Sequence, residues 1–433
     1  MAAVTGDPPA WSVPNFRRLW VASAASSFGS EVSEIVLPLL AITTLSATAS
    51  EVGWIRTAQF LPFLLATLPL GVLVDRRRHR RRDMLVLADV GRFALFAGIA
   101  LLVWAGLSDV APLYPLLFAI GTLTVLYQVA DFAFLPSVVR PGQLVDANGK
   151  IAATSSGNEI AGRGVGGVLV QAVSAPVAVA VDAVAFGVSA LALRRIRVDQ
   201  LQPSDEAENP RVRTGPAYRD AVAGVRYAVR DRYVRALLGE ATTYNLFNEL
   251  FLVGLLLWAV RDLGLGAATI GLVLTAGGLG SFLGAWFGSR LTGRFGYGRV
   301  LVISMLIGNT APVGTAAVGT GGATGIAVLC ALFALVGIGS GIANVHAVSL
   351  RQTAVPESLR GQVNAAYRLI SWGVVPVGAA AGGLVAEQLG GRGAMLVGAV
   401  GVACATAWVA LSPVRRLRRI EDAGRGTQAG VGS

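Results

Sequence analysis

Long apolar stretches alternate with short polar segments along the whole chain. Each stretch is close to the roughly 20 residues that a helix needs to cross the hydrocarbon core of a membrane. The pattern therefore predicts an all-α membrane protein with twelve transmembrane helices. These lie near residues 19–44, 52–74, 84–107, 112–138, 151–172, 175–193, 236–260, 265–289, 300–318, 323–350, 361–386 and 393–412.

Composition supports a membrane protein. Of the 433 residues 54% are hydrophobic and 14% charged, whereas about a quarter of a soluble chain is charged. The mean hydropathy is +0.63. The two cysteines, Cys330 and Cys404, fall inside predicted helices, so we expect neither a disulfide framework nor a metal site. We expect no cofactor.

The net charge of +11 invites a test for nucleic-acid binding. Twelve spans place both termini on the same side of the membrane. Of the 36 Lys and Arg residues, 30 then fall on that side, only Arg261 and Arg392 fall on the other, and four lie inside helices. Such an asymmetry is the positive-inside rule. We therefore expect cytoplasmic termini and contact with lipid, and no nucleic-acid partner.

An internal repeat divides the chain into two six-helix halves, 12–197 and 216–415. Shifts of 215 and 218 residues align polar and small residues that chance does not readily match in so apolar a chain. The matches are Glu34 with Glu249, Pro141 with Pro356, Gly167 with Gly382, Gly53 with Gly271, Thr57 with Thr275 and Arg76 with Arg294. Residues 1–11 form a short cytoplasmic N-terminus in this interpretation, 198–215 a cytoplasmic linker, and 416–433 a disordered tail.

The segment GVLVDRRRHRRR after the second helix resembles the G-x-L-a-D-R-x-G-R-R signature of the major facilitator superfamily. Gly71, Leu73, Asp75 and Arg76 match it, while Arg78 stands where the signature has Gly. The resemblance implies the major facilitator fold: two pseudo-symmetric six-helix bundles that transport by alternating access.

A second signature lies in the fifth predicted helix. Its segment GRGVGG resembles the G-P-x-x-G-G signature of exporters in this superfamily, with Gly162, Gly166 and Gly167 in place and Arg163 instead of Pro. The segments FLPSVVRPGQLVDAN and LRQTAVPESLRGQVNAAYR are similar to the branch that holds macrolide-efflux proteins and the enterobactin exporter. We expect these glycines, with Gly378 and Gly382, to serve close helix packing.

Ionisable side chains at membrane depth are candidates for function by default. Glu34 lies about 20 Å along the first helix from its cytoplasmic end, with Glu31 on a neighbouring face, and Glu249 holds the matching place in the seventh helix. By resemblance these helices line a central cavity, where a carboxyl group would take up and release protons. The alternative is a carboxylate that fixes helix packing.

Glu159 and Arg163 are four residues apart in the fifth helix, a spacing that allows an ion pair. We favour a structural pair, and the alternative is that Arg163 contacts an anionic substrate group. Asp182 and Arg368 are charges predicted to be buried, with no partner nearby in sequence. Other polar and aromatic candidates for the cavity are Tyr244, Asn245, Asn248, Gln128 and Tyr367.

By resemblance, Asp131 joins Asp75 and the loop arginines, including Arg76 beside Gly71, in a cytoplasmic charge cluster that gates the transporter. Asp89 and Arg92, three residues apart, extend that cluster in this interpretation. A static cluster at the membrane surface is the alternative, but alternating access must break and remake contacts there.

These features predict a monomeric exporter in the bacterial cytoplasmic membrane that moves an amphipathic small molecule, such as a drug, natural product or siderophore, in exchange for protons. Uptake or uniport by the same fold is the first alternative, and a transporter-like sensor or binding protein is the second. The chain has no P-loop, metal-ligand spacing or catalytic triad, so we do not expect an enzyme.

Overall fold

A computed structural model describes residues 8–197, 217–356 and 359–423, and within them every long regular element is a helix. The predicted linker 198–215 lies outside the described residues, as do residues 1–7 of the predicted N-terminus and 424–433 of the predicted tail. The helices are α1 (Pro14–Thr43), α2 (Ala49–Leu65), α3 (Thr67–Arg76), α4 (Arg81–Trp104), α5 (Leu113–Val138), α6 (Leu144–Ala172), α7 (Ala175–Arg194), α8 (Ala217–Arg230), α9 (Arg232–Arg261), α10 (Ala267–Phe295), α11 (Tyr297–Gly314), α12 (Ala323–Ala354), α13 (Arg360–Gly373) and α14 (Val375–Ala410).

The predicted second helix, 52–74, is broken in two. Helices α2 and α3 meet at Ala66 with a bend of 49°. Pro69 has no N–H to donate to the carbonyl of Leu65, so one hydrogen bond of the helical ladder is missing at this point. The prediction of one continuous helix was therefore wrong.

Two helix breaks occur in the region of the last two predicted helices, 361–386 and 393–412. The first is interrupted at Val374, two residues before Pro376, where α13 ends and α14 begins. Within α14 the backbone of Gly390 has φ 72°, which breaks the helix inside the predicted gap. Glycine adopts this left-handed conformation without a steric penalty.

In the described ranges, nine helical runs are long and apolar enough to cross a membrane, or ten if α2 and α3 form one bent span. The run from Arg360 to Ala410 counts once, although 51 residues of helix exceed the thickness of one bilayer by more than twofold. Helix α6 is long enough but is not among these membrane-crossing runs, because its charged and polar residues lower its mean hydropathy. The chain is a multi-pass membrane protein, and the number twelve remains a prediction.

The chain forms two compact units. The first contains Met1–Leu40 and Leu65–Thr214, and the second contains Ala41–Leu64 and Gly215–Ser433. The second unit thus includes the end of α1 and nearly all of α2, which the sequence repeat assigns to the N-terminal half.

Each unit has its own apolar core. In the first unit Phe16 and Leu85 are fully buried, and in the second Val234 and Leu350 are. Part of the tail that was predicted to be disordered from residue 416 joins the second core, because Leu417 and Ala423 are buried there. Asp231 caps the start of helix α9, because its carboxylate accepts hydrogen bonds from the backbone N–H groups of Tyr233 and Val234.

Candidate functional site

Three carboxylates surround one guanidinium in the first unit. The side chains come from α1, which contributes Glu31 and Glu34, and from α6, which contributes Glu159 and Arg163. The two helices approach closely because α6 has a glycine at the contact: a Cβ on Gly162 would lie 2.6 Å from the Cβ of Glu31. A second glycine of the exporter-like segment, Gly166, packs against the backbone of α1 one turn further on, and its neighbour Gly167 is buried.

Arg163 lies within ion-pair distance of all three acids. Its Nε is 3.4 Å from a carboxylate oxygen of Glu31, and its Nη2 is 3.6 Å from Glu34 and 3.6 Å from Glu159. The predicted pair of Glu159 and Arg163 therefore forms as part of a larger cluster. The side chains are 24% to 50% exposed, so the cluster has an open face.

This acidic cluster contains more negative than positive charge. With all groups ionised its net charge is minus two. Charge at membrane depth is unfavourable unless it is paired or neutralised. Two added positive charges, from protons or from a cationic group, would balance the cluster.

Glu249 makes a different contact from the one that the repeat suggested. In the second unit both of its carboxylate oxygens accept hydrogen bonds from Arg56 of α2, at 2.9 to 3.2 Å. The two side chains are only 9% and 6% exposed, and the ring of Phe60 lies 4.9 Å from the guanidinium carbon. The sequence repeat matches Glu34 with Glu249, and each of these acids forms an ion pair with an arginine of its own unit.

Small residues bring α2 and α9 against α14. A Cβ on Gly53 would lie 2.7 Å from the carbonyl oxygen of Ala379 and 2.8 Å from the Cα of Gly383. On α14, Gly378 and Gly382 pack against α9, where a Cβ on Gly378 would lie 3.2 Å from the Cβ of Glu249, next to the ion pair.

Asp89 and Arg92 lie in a buried network. The pair is almost fully buried, and Arg92 also donates to the hydroxyl of Ser26 at 2.8 Å. Ser189 of α7 donates to Asp89, and Arg92 lies over the rings of Tyr127 and Phe186 at 4.6 and 4.4 Å. The network ties α1, α4, α5 and α7 together. The pair is therefore buried among helices of the first unit, and its predicted part in a cytoplasmic gating cluster stays a prediction.

Three other members of the predicted gating cluster, Gly71, Asp75 and Arg76, lie at or just before the polar turn after α3. Asp75 is exposed and lies 3.9 Å from Arg81, and Arg76 and the half-buried Gly71 precede that turn. The carboxylate oxygen Oδ1 of Asp131 is buried and has no hydrogen-bond partner among the described residues.

The predicted polar lining residues differ in their surroundings. Asn245 donates to the carbonyl of Ser371 at 2.6 Å, and Tyr367 donates to the carbonyl of Leu237 at 3.0 Å. Both interactions fix packing between α9 and α13. Tyr244 and Asn248 are half-buried, and Gln128 is exposed.

Arg368 was predicted to be buried, but it is exposed, because it lies on the polar face of the amphipathic helix α13. Asp182 is buried as predicted, at 1% exposure.

Three buried polar residues of the second unit that contact one another were not predicted from the sequence. Glu240 of α9 is 9% exposed and accepts a hydrogen bond from the amide of Asn309 on α11, at 3.3 Å. Asn309 also donates to the hydroxyl of Thr406 on α14, at 3.1 Å. The signal was available, since Glu240 is a carboxyl group about one turn inside a predicted membrane helix.

Comparison with known proteins places the chain among transporters. A family model described as transmembrane secretion effector matches residues 9–427. A multidrug efflux pump, Tap, from Mycobacterium tuberculosis is 28% identical over 184 residues, which cover 41% of this chain and 43% of the pump. An MFS-type transporter from the same species is 28% identical over 380 residues, covering 83% of this chain and 82% of that protein. This chain thus aligns with less than half of the efflux pump.

Solved transporters share the fold at low sequence identity. A bacterial homologue of the lysosomal transporter Spinster, inward-facing and occupied, has a TM-score of 0.72 at 14% identity and covers 96% of this chain and 99% of that one. The nucleoside transporter NupG has a TM-score of 0.69 at 13% identity, with coverage of 92% and 99%. Since the family model spans nearly the whole chain, the chain belongs to the transmembrane secretion effector family and is a major facilitator superfamily transporter.

Proposed function

We propose that this transporter exports an amphipathic small molecule from the cytoplasm in exchange for protons, by alternating access, across the cytoplasmic membrane of a bacterium. Both termini would be cytoplasmic, as the distribution of Lys and Arg favours. The partial similarity to a multidrug efflux pump supports export.

The acidic cluster is the observation on which proton exchange depends. Glu31, Glu34 and Glu159 share the single guanidinium of Arg163, and all four side chains are partly exposed. Because three acids face one guanidinium within the cluster, proton binding is a direct way to lower its negative charge. The protonated acids would release their protons when a bound substrate or a change of conformation stabilises the negative charge of the cluster instead.

The test uses purified protein in liposomes with an imposed pH gradient. Movement of ethidium and of a panel of neutral amphipathic drugs is measured for the unchanged protein and for Glu34→Gln. The matched control is Glu387→Gln, which alters an exposed acid on α14. We expect the gradient to drive transport in the unchanged protein and the control, and Glu34→Gln to lose most of it.

The outcomes separate the alternatives. Equal gradient-driven transport in Glu34→Gln and the unchanged protein would exclude the assigned role of this carboxyl group. Transport that follows the drug's own concentration gradient, whether or not a pH gradient is imposed, would instead indicate uniport. Accumulation of the drug on the cytoplasmic side would indicate uptake.

A further inference from the structure

Glu240 differs from the acids that are held by arginines. Glu249 pairs with Arg56, and the acidic cluster surrounds Arg163, but within the described residues Glu240 has no ion pair. Its single hydrogen bond there is to the neutral amide of Asn309, which reaches Oε1.

The surroundings of Glu240 are polar but carry little charge. Asn309 on α11 and Thr406 on α14 form one side of the site through their shared hydrogen bond. On α13, the titratable Tyr367 interacts electrostatically with Glu240 and donates its hydroxyl to the carbonyl of Leu237, nearly one turn away on α9.

A cation lies nearby, in contact with the tyrosine. The guanidinium carbon of Arg351, on α12, is 4.0 Å from the centroid of the Tyr367 ring. Arg351 also donates to the amide oxygen of Asn364, at 2.8 Å. Among the described contacts, Arg351 interacts with Tyr367 and Asn364 and forms no ion pair with Glu240.

A buried carboxylate needs a cation or several donors to offset the loss of hydration, whereas a protonated carboxyl group needs far less. One amide donor, without an ion pair among the described residues, suits the neutral form of Glu240. The arrangement also suits release of the proton. The amide of Asn309 can donate to the ionised carboxylate, and the hydroxyl of Thr406 lies next to that amide.

We propose that Glu240 is a proton-binding site of the second unit, separate from the acidic cluster of the first, and that it binds and releases a proton during the transport cycle. Its place in that cycle rests on the proposed proton exchange. Its identity as a proton site rests on the contacts of Glu240 itself.

Two measurements test the proton site without any transported compound. In infrared spectra recorded from acid to alkaline pH, the unchanged protein should show the C=O band of a protonated carboxyl group that Glu240→Gln lacks and Glu387→Gln retains. Identical spectra for Glu240→Gln and the unchanged protein would overturn the proposal. Glutamine keeps the size of the side chain and an acceptor for Asn309.

The second measurement uses the unchanged protein, so it does not depend on whether a variant folds. Dicyclohexylcarbodiimide reacts with protonated carboxyl groups in apolar surroundings, and mass spectrometry locates the adduct. Labelling of Glu240 that increases as the pH falls supports the assignment. Absence of labelling at every pH, while other membrane acids are labelled, contradicts it.

Transport measurements then separate this proposal from the proposed function. Glu240→Gln should lose most gradient-driven movement of ethidium, or of the drug that the panel identifies, yet keep exchange of that compound across the membrane. Full gradient-driven transport in Glu240→Gln would remove Glu240 from the cycle and leave proton exchange standing. No gradient-driven transport in the unchanged protein would contradict the proposed function, while the spectra still decide the proton site.

Discussion

Replacing Arg56 by methionine should destabilise the second unit, because Glu249 would lose its guanidinium partner in a buried site. The two side chains are 6% and 9% exposed and share three hydrogen-bond contacts of 2.9 to 3.2 Å. Removing one partner of such a pair costs about 3–5 kcal/mol. For a unit of this size, that corresponds to a fall in melting temperature of roughly 6–20 °C.

The double variant Arg56→Met with Glu249→Met provides the matched comparison. Two methionines fill a similar volume and leave no buried charge, so its stability should return to within about 1–2 kcal/mol of the unchanged protein. Thermal unfolding in detergent, followed by tryptophan fluorescence, gives the four stabilities of the double-mutant cycle. A loss of less than about 1 kcal/mol in Arg56→Met alone, or a double variant no more stable than that single one, would show that the buried pair does not stabilise the unit in this way.

Three further outcomes are expected from the same unfolding assay. Gly53→Ala should lower the melting temperature, because its Cβ would meet the backbone of α14 at 2.7 Å. Gly71→Ala should not lower it, since nothing lies within 4 Å of a Cβ there. Equal effects of the two substitutions would contradict this prediction. Asp182→Leu should raise stability by about 1–3 kcal/mol, because neither carboxylate oxygen has a hydrogen-bond partner among the described residues; a fall would show that the carboxyl group has a structural role. Asp75→Asn should change stability by less than about 1 kcal/mol, because Asp75 is exposed and 3.9 Å from Arg81; a larger loss would reveal a stronger pair.

The sequence predicted local structure well where hydropathy alone decides it. The predicted helix 323–350 corresponds to α12, which extends only one turn further, and the break at Gly390 falls in a predicted gap. The break at Ala66 was missed because an apolar segment gives no hydropathy signal for a kink. Only the missing N–H of Pro69 marks it.

Tertiary partners were harder to predict than helices. The i, i+4 spacing indicated that Glu159 and Arg163 pair, but it carried no information on Glu31 and Glu34, which reach the same guanidinium from another helix. Arg56 and Glu249 are 193 positions apart, and the repeat drew attention to the matching glutamates instead. Contacts between distant helices depend on how the helices rotate and pack, which periodicity in one helix does not specify.

The placement of residues 41–64 in the second unit has a consequence for how the chain can be divided. The polypeptide leaves the first unit after Leu40 and returns to it at Leu65, so the midpoint of the sequence is not the boundary between the folded bodies. A fragment that ends in the linker would include α2 but lack α9 and α14, against which Arg56 and Gly53 pack. Expressed alone, such a fragment would expose a glycine-lined surface and an arginine without its carboxylate, and a co-expressed C-terminal fragment would supply the surface that covers both.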